Sequence, residues 1–320
     1  MLKHRARASD QVRLGIGDDA AVVAGSGGRD LLACCDLLVE GVHFRIDWAP
    51  PRMLGQKALA INLSDIAAMG GVPKFAMMSI ALPPICSAQF IEDFLDGVFG
   101  LADQHGVAII GGDTSSSRDS LFIDVSVIGE CAAGQAVTRG GAKQGDRVYV
   151  SGSLGASALG LELLQQGVRL EGLADDDPRR DALMKHLAPR PRTELGRAIG
   201  EVGIATSMID VSDGLSTDLS HILEESSCGA VIHAGAIPIA ECARAGSSPY
   251  DAIALALGSG EEYELLFTAR PEESPQVENL ARDLGLAITP IGEIVEAVGL
   301  RLERDGESEI LAPSGYEHLI

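Results

Sequence analysis

Apolar and polar residues follow two different periodicities along the first 130 positions of the chain. Apolar residues recur every three or four positions in two long segments, which predicts helices at Pro51–Met69 and Ala88–Gln104. Shorter apolar runs around these helices predict strands at Leu31–Val39, Phe75–Leu82, Val107–Ile110 and Leu121–Glu130. Strands separated by helices of this length favour an α/β arrangement.

A change in composition divides the chain. Ala, Gly and Thr replace the apolar pattern at Cys131–Gln144, and 320 residues are enough for two domains of ordinary size. We predict an N-terminal domain at residues 1–136 and a C-terminal domain at residues 137–320. In the second domain, strands are predicted at Arg147–Ser151, Ala230–His233 and Glu264–Thr268. Helices are predicted at Ala156–Gln166 and Thr193–Val202, and a third helix follows the IDVSDG turn and ends at Glu224. A charged loop is predicted at Asp175–Asp181.

Charge and cysteine usage exclude several classes of protein. The net charge is −21, which disfavours a protein that binds nucleic acid through a basic face. No apolar run reaches the length of a membrane span, and the N-terminal segment lacks the apolar region of a signal peptide. The six cysteines have no CxxC spacing, which predicts free thiols. We expect a cytoplasmic protein.

Six aspartates lie in short segments that also contain Gly, Ser or Asn. If they converge, each like-charged pair at about 4 Å costs roughly 4 kcal/mol at an effective dielectric constant of about 20. Divalent cations would compensate this repulsion, so the collection suits a site for several Mg²⁺ ions and a nucleotide. The six candidates are Asp19, Asp36, Asp65, Asp113, Asp210 and Asp213.

Three of these segments are informative individually. Asp65 lies inside an apolar helix, where an unpaired buried charge is costly unless a charged ligand binds it. Asp113 follows a strand and a glycine pair, and we predict a polar loop after it that delivers the carboxylate to an anionic ligand. Asp210 and Asp213 precede a helix whose N-terminus can help to bind phosphate, and an N-cap explains only one of them.

Other motifs have simpler explanations. The segment Ser151–Leu161 joins a strand to a helix but lacks the Gly-Lys-Ser/Thr ending of a P-loop, so we interpret it as packing at a helix start. A lone histidine such as His43 is more often structural or exposed than functional. No Ser-His-Asp arrangement or HExxH is present.

Taken in order, eight segments of this chain resemble the thiamine-monophosphate kinase family, in the superfamily that includes aminoimidazole-ribonucleotide synthetase. Each segment alone is weak, but together they span residues 15 to 318. The segments are GIGDDAAVV, EGVHF, KALAINLSDIAAMGGVP, IIGGDT, TRGGAKQGDRVYVSGSLGASALGL, IDVSDGLSTDLSHIL, GSGEEYELLFT and SGYEHL.

The resemblance implies a two-domain kinase fold and ATP-dependent phosphorylation of thiamine monophosphate to thiamine diphosphate. It implies Mg²⁺, with K⁺ as a further candidate ion, and a nucleotide in the cleft between domains. It also implies a homodimer paired through the sheets of the N-terminal domains. By position, the six aspartates match metal ligands, Gly112, Arg139 and Ser212 match nucleotide contacts, His105 replaces an aromatic residue near the nucleotide, and His43, Glu261 and Tyr316 match substrate contacts.

This reaction suits the residues present. Phosphoryl transfer needs positioning and charge neutralisation more than a covalent nucleophile, and the acceptor phosphate is already ionised. We therefore expect direct in-line transfer without a phosphoenzyme, with Asp213, Asp113 and Arg139 as the principal catalytic residues.

The chain departs from the family pattern at several positions. Cys34-Cys35 replaces a Ser-Thr pair before the strand aspartate, and a thiol is a poor ligand for Mg²⁺. The motif SGGEDYEL appears as GSGEEYEL at residues 258–265, and the segment before GIGDD is short and unlike the family pattern.

Two alternatives remain open at the level of sequence. Another enzyme of the superfamily would use ATP with a different acceptor to make an aminoimidazole ribonucleotide, selenophosphate or a modified hydrogenase ligand. A non-catalytic paralogue would bind nucleotide or thiamine without turnover.

Overall fold

The alternation of buried and exposed residues builds one sheet in each half of the chain. The computed structural model describes residues 9–246, 249–258 and 260–315. The N-terminal sheet has the strand order β1-β2-β3-β6-β4-β5. Its strands are β1 Val12–Leu14, β2 Ala21–Ala24, β3 Arg29–Val39, β4 Val72–Leu82, β5 Ala108–Ser116 and β6 Phe122–Ala132, and its helices are α1 Pro51–Ala68 and α2 Ala88–His105.

The C-terminal sheet is mixed. The second and third strands in its spatial order are parallel to each other, and all other neighbouring strands in the described sheet are antiparallel. Its order is β13-β12-β9-β11-β7-β10-β8. The strands are β7 Arg147–Ser151, β8 Ala205–Asp210, β9 Gly229–His233, β10 Leu265–Ala269, β11 Ile288–Val295, β12 Gly299–Arg304 and β13 Glu307–Ile310. The helices are α3 Ala156–Gln165, α4 Arg179–Leu187, α5 Thr193–Val202, α6 Leu215–Ser226, α7 Glu241–Gly246, α8 Pro249–Gly258 and α9 Ser274–Leu284.

The predicted fold class, α/β with two domains, is confirmed. The helices predicted at Pro51–Met69, Ala88–Gln104 and Thr193–Val202 end within one residue of α1, α2 and α5. The division at residues 136 and 137 stays a prediction, although β6 ends at Ala132 and the first strand of the second sheet begins at Arg147.

Helix α1 is central to the arrangement because it contacts both sheets. It packs against α2, β3, β4 and β6 in its own domain and against α5 and β8 in the other domain. Thirteen of its 18 residues are buried, which explains why its apolar residues surround the helix instead of forming one stripe. A polar side chain on this helix is therefore held between two domains.

The sequence prediction was wrong about the segment after the glycine pair at Gly111-Gly112. Strand β5 continues through Asp113 to Ser116, where we predicted a polar loop. Among the described strands β5 pairs with β4 alone and lies at the edge of the sheet, so its polar side chains remain in solvent.

The predicted charged loop at Asp175–Asp181 is also shorter than expected. Helix α4 begins at Arg179, directly after Pro178. Proline is tolerated immediately before the first helical residues because its missing N–H has no partner there in any case. Leu183 and Leu187 on this helix are buried, and these apolar contacts stabilise a helix in a polar segment.

Two further observations concern location. All six cysteines are free thiols, as predicted. None of the helices in the described part of the chain has the length and apolar character that a membrane crossing requires.

Glycines allow α1 and α2 to cross closely, and we predict that their replacement is destabilising. A Cβ at Gly97 would lie 1.9 Å from the carbonyl oxygen of Arg52, so the helices must separate in Gly97→Ala. We expect a loss of about 2 kcal/mol in the free energy of unfolding, measured by urea denaturation.

The matched control is Gly100→Ala on the same helix. The nearest atom to a Cβ there is the end of the Arg52 side chain at 3.9 Å. Alanine has the better helix propensity, so this variant should be neutral or up to about 1 kcal/mol more stable. Equal effects of the two substitutions would contradict the close crossing.

Candidate active site

Five of the six candidate aspartates converge where the two domains meet. Asp19 lies in the loop between β1 and β2, Asp36 on β3 and Asp65 on α1. Asp210 ends β8 and Asp213 follows it in the turn before α6. The carboxyl groups therefore come from both domains.

Three of these side chains form the centre of the cluster. One carboxylate oxygen each from Asp19, Asp65 and Asp210 lies within 4.8 Å of the other two. Ser64 donates a hydrogen bond to Oδ2 of Asp210. Asp19 Oδ2 and Asp210 Oδ1 are buried and accept no hydrogen bond from the described part of the protein. Buried oxygens of this kind are normally satisfied, so their lone pairs are suited to an external cation.

Burial and mutual repulsion raise the carboxyl pKa values of Asp19, Asp36, Asp65 and Asp210. Burial is the largest cause at Asp65, whose pKa lies well above its usual value, and Asp36, Asp210 and Asp19 add to it. The pKa of Asp210 is also raised by burial, while Ser64 and Arg139 act in the opposite direction. A cluster that resists ionisation gains most from a bound cation.

Arg139 supplies the nearest positive charge. Its Nη2 lies 2.5 Å from Asp19 Oδ1, and its backbone N–H donates to Asp18 Oδ2 at 3.1 Å. The pKa of Asp19 is still raised, because its burial outweighs the attraction of Arg139. Arg139 Nε is buried and donates to no acceptor in the described residues. This Nε lies 3.9 Å from Asp18 Oδ1, so the guanidinium is paired with both aspartates.

The turn at Asp213 is held by Asp218 on α6. Asp218 is buried, and its Oδ2 accepts the backbone N–H groups of Asp213 and Gly214. Ser212, the candidate nucleotide contact, uses its carbonyl oxygen to accept the N–H of Glu261 at 2.7 Å. The turn after β8 is thus tied to the loop that carries a candidate substrate residue.

The substrate candidates His43 and Glu261 lie close enough to interact electrostatically. His43 Nδ1 accepts the backbone N–H of Val39, and the imidazole helps to hold the pKa of Glu261 below its usual value. The main opposing influence on Glu261 is burial, and the main favourable one is Lys57, whose Nζ lies 2.7 Å from Glu261 Oε1. Tyr316 lies outside the described residues.

Asp113, the sixth candidate aspartate, lies apart from the cluster. Asp113 is exposed on β5, and its Oδ1 accepts the N–H of Thr114. Its register with Ser79 and Asp124 places it on the face of the sheet opposite to Asp36. The role predicted for Asp113 in the metal site stays a prediction.

Gly112 and His105 have structural contacts of their own. A Cβ at Gly112 would lie 1.7 Å from the carbonyl oxygen of Met78, so only glycine fits between β4 and β5 at this position. His105 ends α2, and its Nδ1 lies 2.9 Å from Thr193 Oγ1. Their predicted nucleotide contacts remain untested.

The glycine-rich segment before α3 is occupied by a side chain of the protein. Glu262 is fully buried, and its Oε1 accepts the N–H groups of Gly155 and Ser157 at 2.6 and 3.1 Å. This carboxylate takes the position that a phosphate would take at the N-terminus of a helix. The interpretation of Ser151–Leu161 as packing at a helix start is confirmed.

Sequence reasoning missed several residues of the site. Lys57 and Ser64 are polar residues inside the same apolar helix as Asp65, so the signal that identified Asp65 could have identified both. Tyr263 carries no such signal. Its ring packs in the N-terminal core, and burial together with Glu261 raises its pKa well above the usual value.

Cys34 lies beside the cluster on β3. Its Sγ is directed to the carbonyl oxygen of Asn62 at 3.5 Å. Burial raises the pKa of this thiol well above its usual value, and the nearby Asp65 and Asp36 add to the effect. The thiol is thus a neutral hydrogen-bond donor at neutral pH.

Comparisons with known proteins match both halves of the chain. "AIR synthase related protein, N-terminal domain" matches residues 17–131, and "AIR synthase related protein, C-terminal domain" matches residues 143–305. Thiamine-monophosphate kinase of Escherichia coli strain K12 is 39% identical over 308 residues, which cover 96% of this chain and 92% of that protein.

Two solved structures have the same fold. Thiamine-monophosphate kinase from Stenotrophomonas maltophilia K279a matches with a TM-score of 0.82 and 38% identity, covering 96% of this chain and 95% of that one. AaThiL complexed with AMPPCP and TMP matches with a TM-score of 0.83 and 32% identity, covering 97% of this chain and 93% of that one.

The repulsion in the cluster predicts that Asp65→Asn stabilises the metal-free protein. The pKa of Asp65 is raised in the folded state, so its ionisation destabilises the fold as the pH rises above about 4, the ordinary pKa of an aspartate. In EDTA we expect the variant to unfold at a higher temperature than the original protein at pH 8, and the difference to shrink towards pH 5.

The control is Asp30→Asn, which removes a buried carboxylate that has partners. Arg13 Nε lies 2.8 Å from Asp30 Oδ1, and Gly134 N–H donates to Oδ2 at 2.7 Å. This variant should unfold at a lower temperature. A lower unfolding temperature for Asp65→Asn at pH 8 would show that the cluster is not under electrostatic strain.

Proposed function

This chain belongs to the thiamine-monophosphate kinase family, and we propose that it transfers the γ-phosphoryl group of ATP to thiamine monophosphate. The observation that carries the proposal is the convergence of Asp19, Asp65 and Asp210 from two domains, where a buried oxygen of Asp19 and one of Asp210 have no donor in the described part of the chain. Such a site is suited to join two polyanionic substrates. The names of the relatives, and the complex of AaThiL with AMPPCP and TMP, support the same reaction here.

The donor set fits Mg²⁺. Hard divalent cations bind carboxylate oxygens, and the buried oxygens of Asp19 and Asp210 lie beside Asp65. We propose that these three residues, with Asp36 and Asp213, hold the metal ions. Bound Mg²⁺ would neutralise charge on the transferring phosphoryl group. The participation of Asp113 and of K⁺ rests on the family resemblance alone.

The protein's own residues would position the two phosphates. Arg139 is fixed by Asp18 and Asp19 and would supply positive charge to a phosphate group beside them. The nucleotide would also contact Gly112, Ser212 and His105. His43, Glu261 and Tyr316 would contact thiamine monophosphate on the other side of the aspartates.

The acceptor needs no strong base, because a phosphate monoester is ionised at neutral pH. We therefore propose direct in-line transfer. ATP carrying a chiral γ-thiophosphoryl group should give product with inverted configuration at phosphorus. Retention of configuration, or a phosphorylated protein isolated during turnover, would contradict the direct transfer.

We predict that thiamine diphosphate forms from ATP, Mg²⁺ and thiamine monophosphate, and that Asp213→Asn lowers kcat/KM by about 100-fold or more. The reason is the loss of a carboxylate at the site of developing charge. Mass-spectrometric detection of thiamine diphosphate measures the product. Asp103→Asn, at an exposed position of α2, is the matched control and should retain full activity.

A panel of possible acceptors, each tested with ATP and Mg²⁺, distinguishes thiamine-monophosphate kinase activity from the alternative functions. Turnover of another acceptor without turnover of thiamine monophosphate would place the protein elsewhere in the superfamily. Calorimetric binding of ATP without release of ADP would favour a non-catalytic protein.

We also propose that the chain forms a homodimer through the face of the N-terminal sheet opposite to α1. The strands expose large apolar side chains on this face, which is unusual for a surface in contact with water. They are 38 to 54% exposed, and they are Leu31, Leu37, Phe75, Met77, Ile110 and Phe122.

Leu37→Asp should therefore convert the dimer into a monomer, because it places a charge within the apolar face. Sedimentation velocity measures the change. The control is Val298→Asp, an exposed apolar residue between β11 and β12 that should leave the dimer intact. A monomeric original protein would contradict the proposed dimer.

A further inference from the structure

Two side chains that are not among the candidate site residues predicted from the sequence converge on Glu261. Lys57 is on α1, only 2% exposed, and its Nζ lies 2.7 Å from Glu261 Oε1 and 3.2 Å from the carbonyl oxygen of His186. Lys57 belongs to the N-terminal sheet domain, whereas Glu261 and His186 belong to the other domain. The ion pair therefore crosses between domains.

His186 on α4 engages the second carboxylate oxygen. Its Nδ1 lies 3.1 Å from Glu261 Oε2 and 3.1 Å from Ser157 Oγ. Burial is the main cause that lowers the pKa of His186 to about 4, and Lys57 contributes, so the ring is neutral at pH 7. An ionised carboxylate can only accept hydrogen bonds, so Nδ1 must carry the proton that faces Glu261.

The backbone of Glu261 is held in an uncommon conformation. Its φ is +60°, and its N–H donates to Ser212 O at 2.7 Å. Left-handed conformations of non-glycine residues cluster at functional sites, where the surrounding structure maintains them. Both oxygens and the backbone are thus fixed, while the side chain remains 24% exposed and can reach a ligand.

We propose that Lys57 and His186 are positioning residues that fix the Glu261 carboxylate for recognition of the organic part of thiamine monophosphate. This inference rests on the proposed function. An anionic oxygen at this place would attract the thiazolium cation or accept a hydrogen bond from the amino group of the aminopyrimidine. Neither Lys57 nor His186 needs to touch the substrate.

Helix α1 carries both Lys57 and one of the proposed metal ligands. Lys57 and Asp65 are eight residues apart on one helix, which separates them by about 12 Å along the axis. Lys57 fixes the carboxylate that would bind the organic part, and Asp65 belongs to the proposed metal site. A rigid helix thus sets the distance between the two ends of the substrate.

The test compares Lys57→Met with Lys185→Met. Lys185 makes a similar ion pair with another buried carboxylate, because its Nζ lies 2.6 Å from Glu264 Oε1 and 3.9 Å from Glu262 Oε2, and among the described residues it forms no ion pair with Glu261. We expect Lys57→Met to raise KM for thiamine monophosphate by about tenfold or more, with KM for ATP changed by less than about twofold. Lys185→Met should change neither KM, whatever its effect on stability.

A second pair of variants examines His186. An asparagine amide can replace the Nδ1–H donor, whereas leucine cannot. His186→Leu should therefore raise KM for thiamine monophosphate, and His186→Asn should restore most of the loss. The double variant Lys57→Met/Glu261→Gln should be no worse than Glu261→Gln alone, because Lys57 acts through Glu261.

The pH profile separates positioning from a purely structural role. Lys57 on α1, His186 on α4 and His43 after β3 all favour the ionised Glu261, and Tyr263 lies nearby on the same loop. Removal of Lys57 should raise the pKa of Glu261. As the pH falls, KM for thiamine monophosphate should then begin to rise at a higher pH than in the original protein.

The outcomes distinguish this inference from the proposed function. If the original protein forms thiamine diphosphate but Lys57→Met has the same KM values as Lys185→Met, positioning by Lys57 is wrong and the kinase function stands. If no product forms, calorimetric binding of thiamine monophosphate replaces KM as the measure. An original protein that neither turns over nor binds thiamine monophosphate overturns both.

Discussion

The electrostatic cost of bringing carboxylates from two domains into one buried cluster governs the centre of this protein. Asp65 and Asp210 are held by apolar elements, α1 and β8, that cannot move without exposing their cores. Repulsion and desolvation oppose ionisation of both groups. The fold therefore maintains a site that is unfavourable when empty and favourable when cations bind, which is the usual relation between stability and function at an active site.

Among the described residues, two other buried carboxylates have cationic side chains as partners, unlike Asp65. Glu264 is 1% exposed. It forms an ion pair with Lys185 and accepts hydrogen bonds from Nε and Nη2 of Arg192. Asp30 is paired with Arg13. Elsewhere in the described chain the protein can thus provide a cation for a buried acid. Asp65 has carboxylates as its principal charged neighbours, so its compensation must come from a ligand.

Helix α1 connects the chemistry to the architecture. Its close crossing with α2 requires Gly55 and Gly97, because a side chain at either position would strike the backbone of the other helix. The crossing helps to bury α1, and its polar residues Lys57, Ser64 and Asp65 lie at the junction between domains. Lys57 at one end meets Glu261, and Asp65 at the other meets Asp210.

Periodicity, glycine pairs and acids in apolar context were enough to predict both domains, most helices and the family. The sequence by itself determined that Asp65 needs a compensating charge, because a lone acid in an apolar helix is costly whatever surrounds it. Only the tertiary structure decided which acids meet. Asp113 occupies an edge strand on the other face, and Lys57 reaches Glu261 over 204 positions of sequence. Local patterns set the face and burial of a residue, but contacts between distant segments depend on how two sheets pack around one helix.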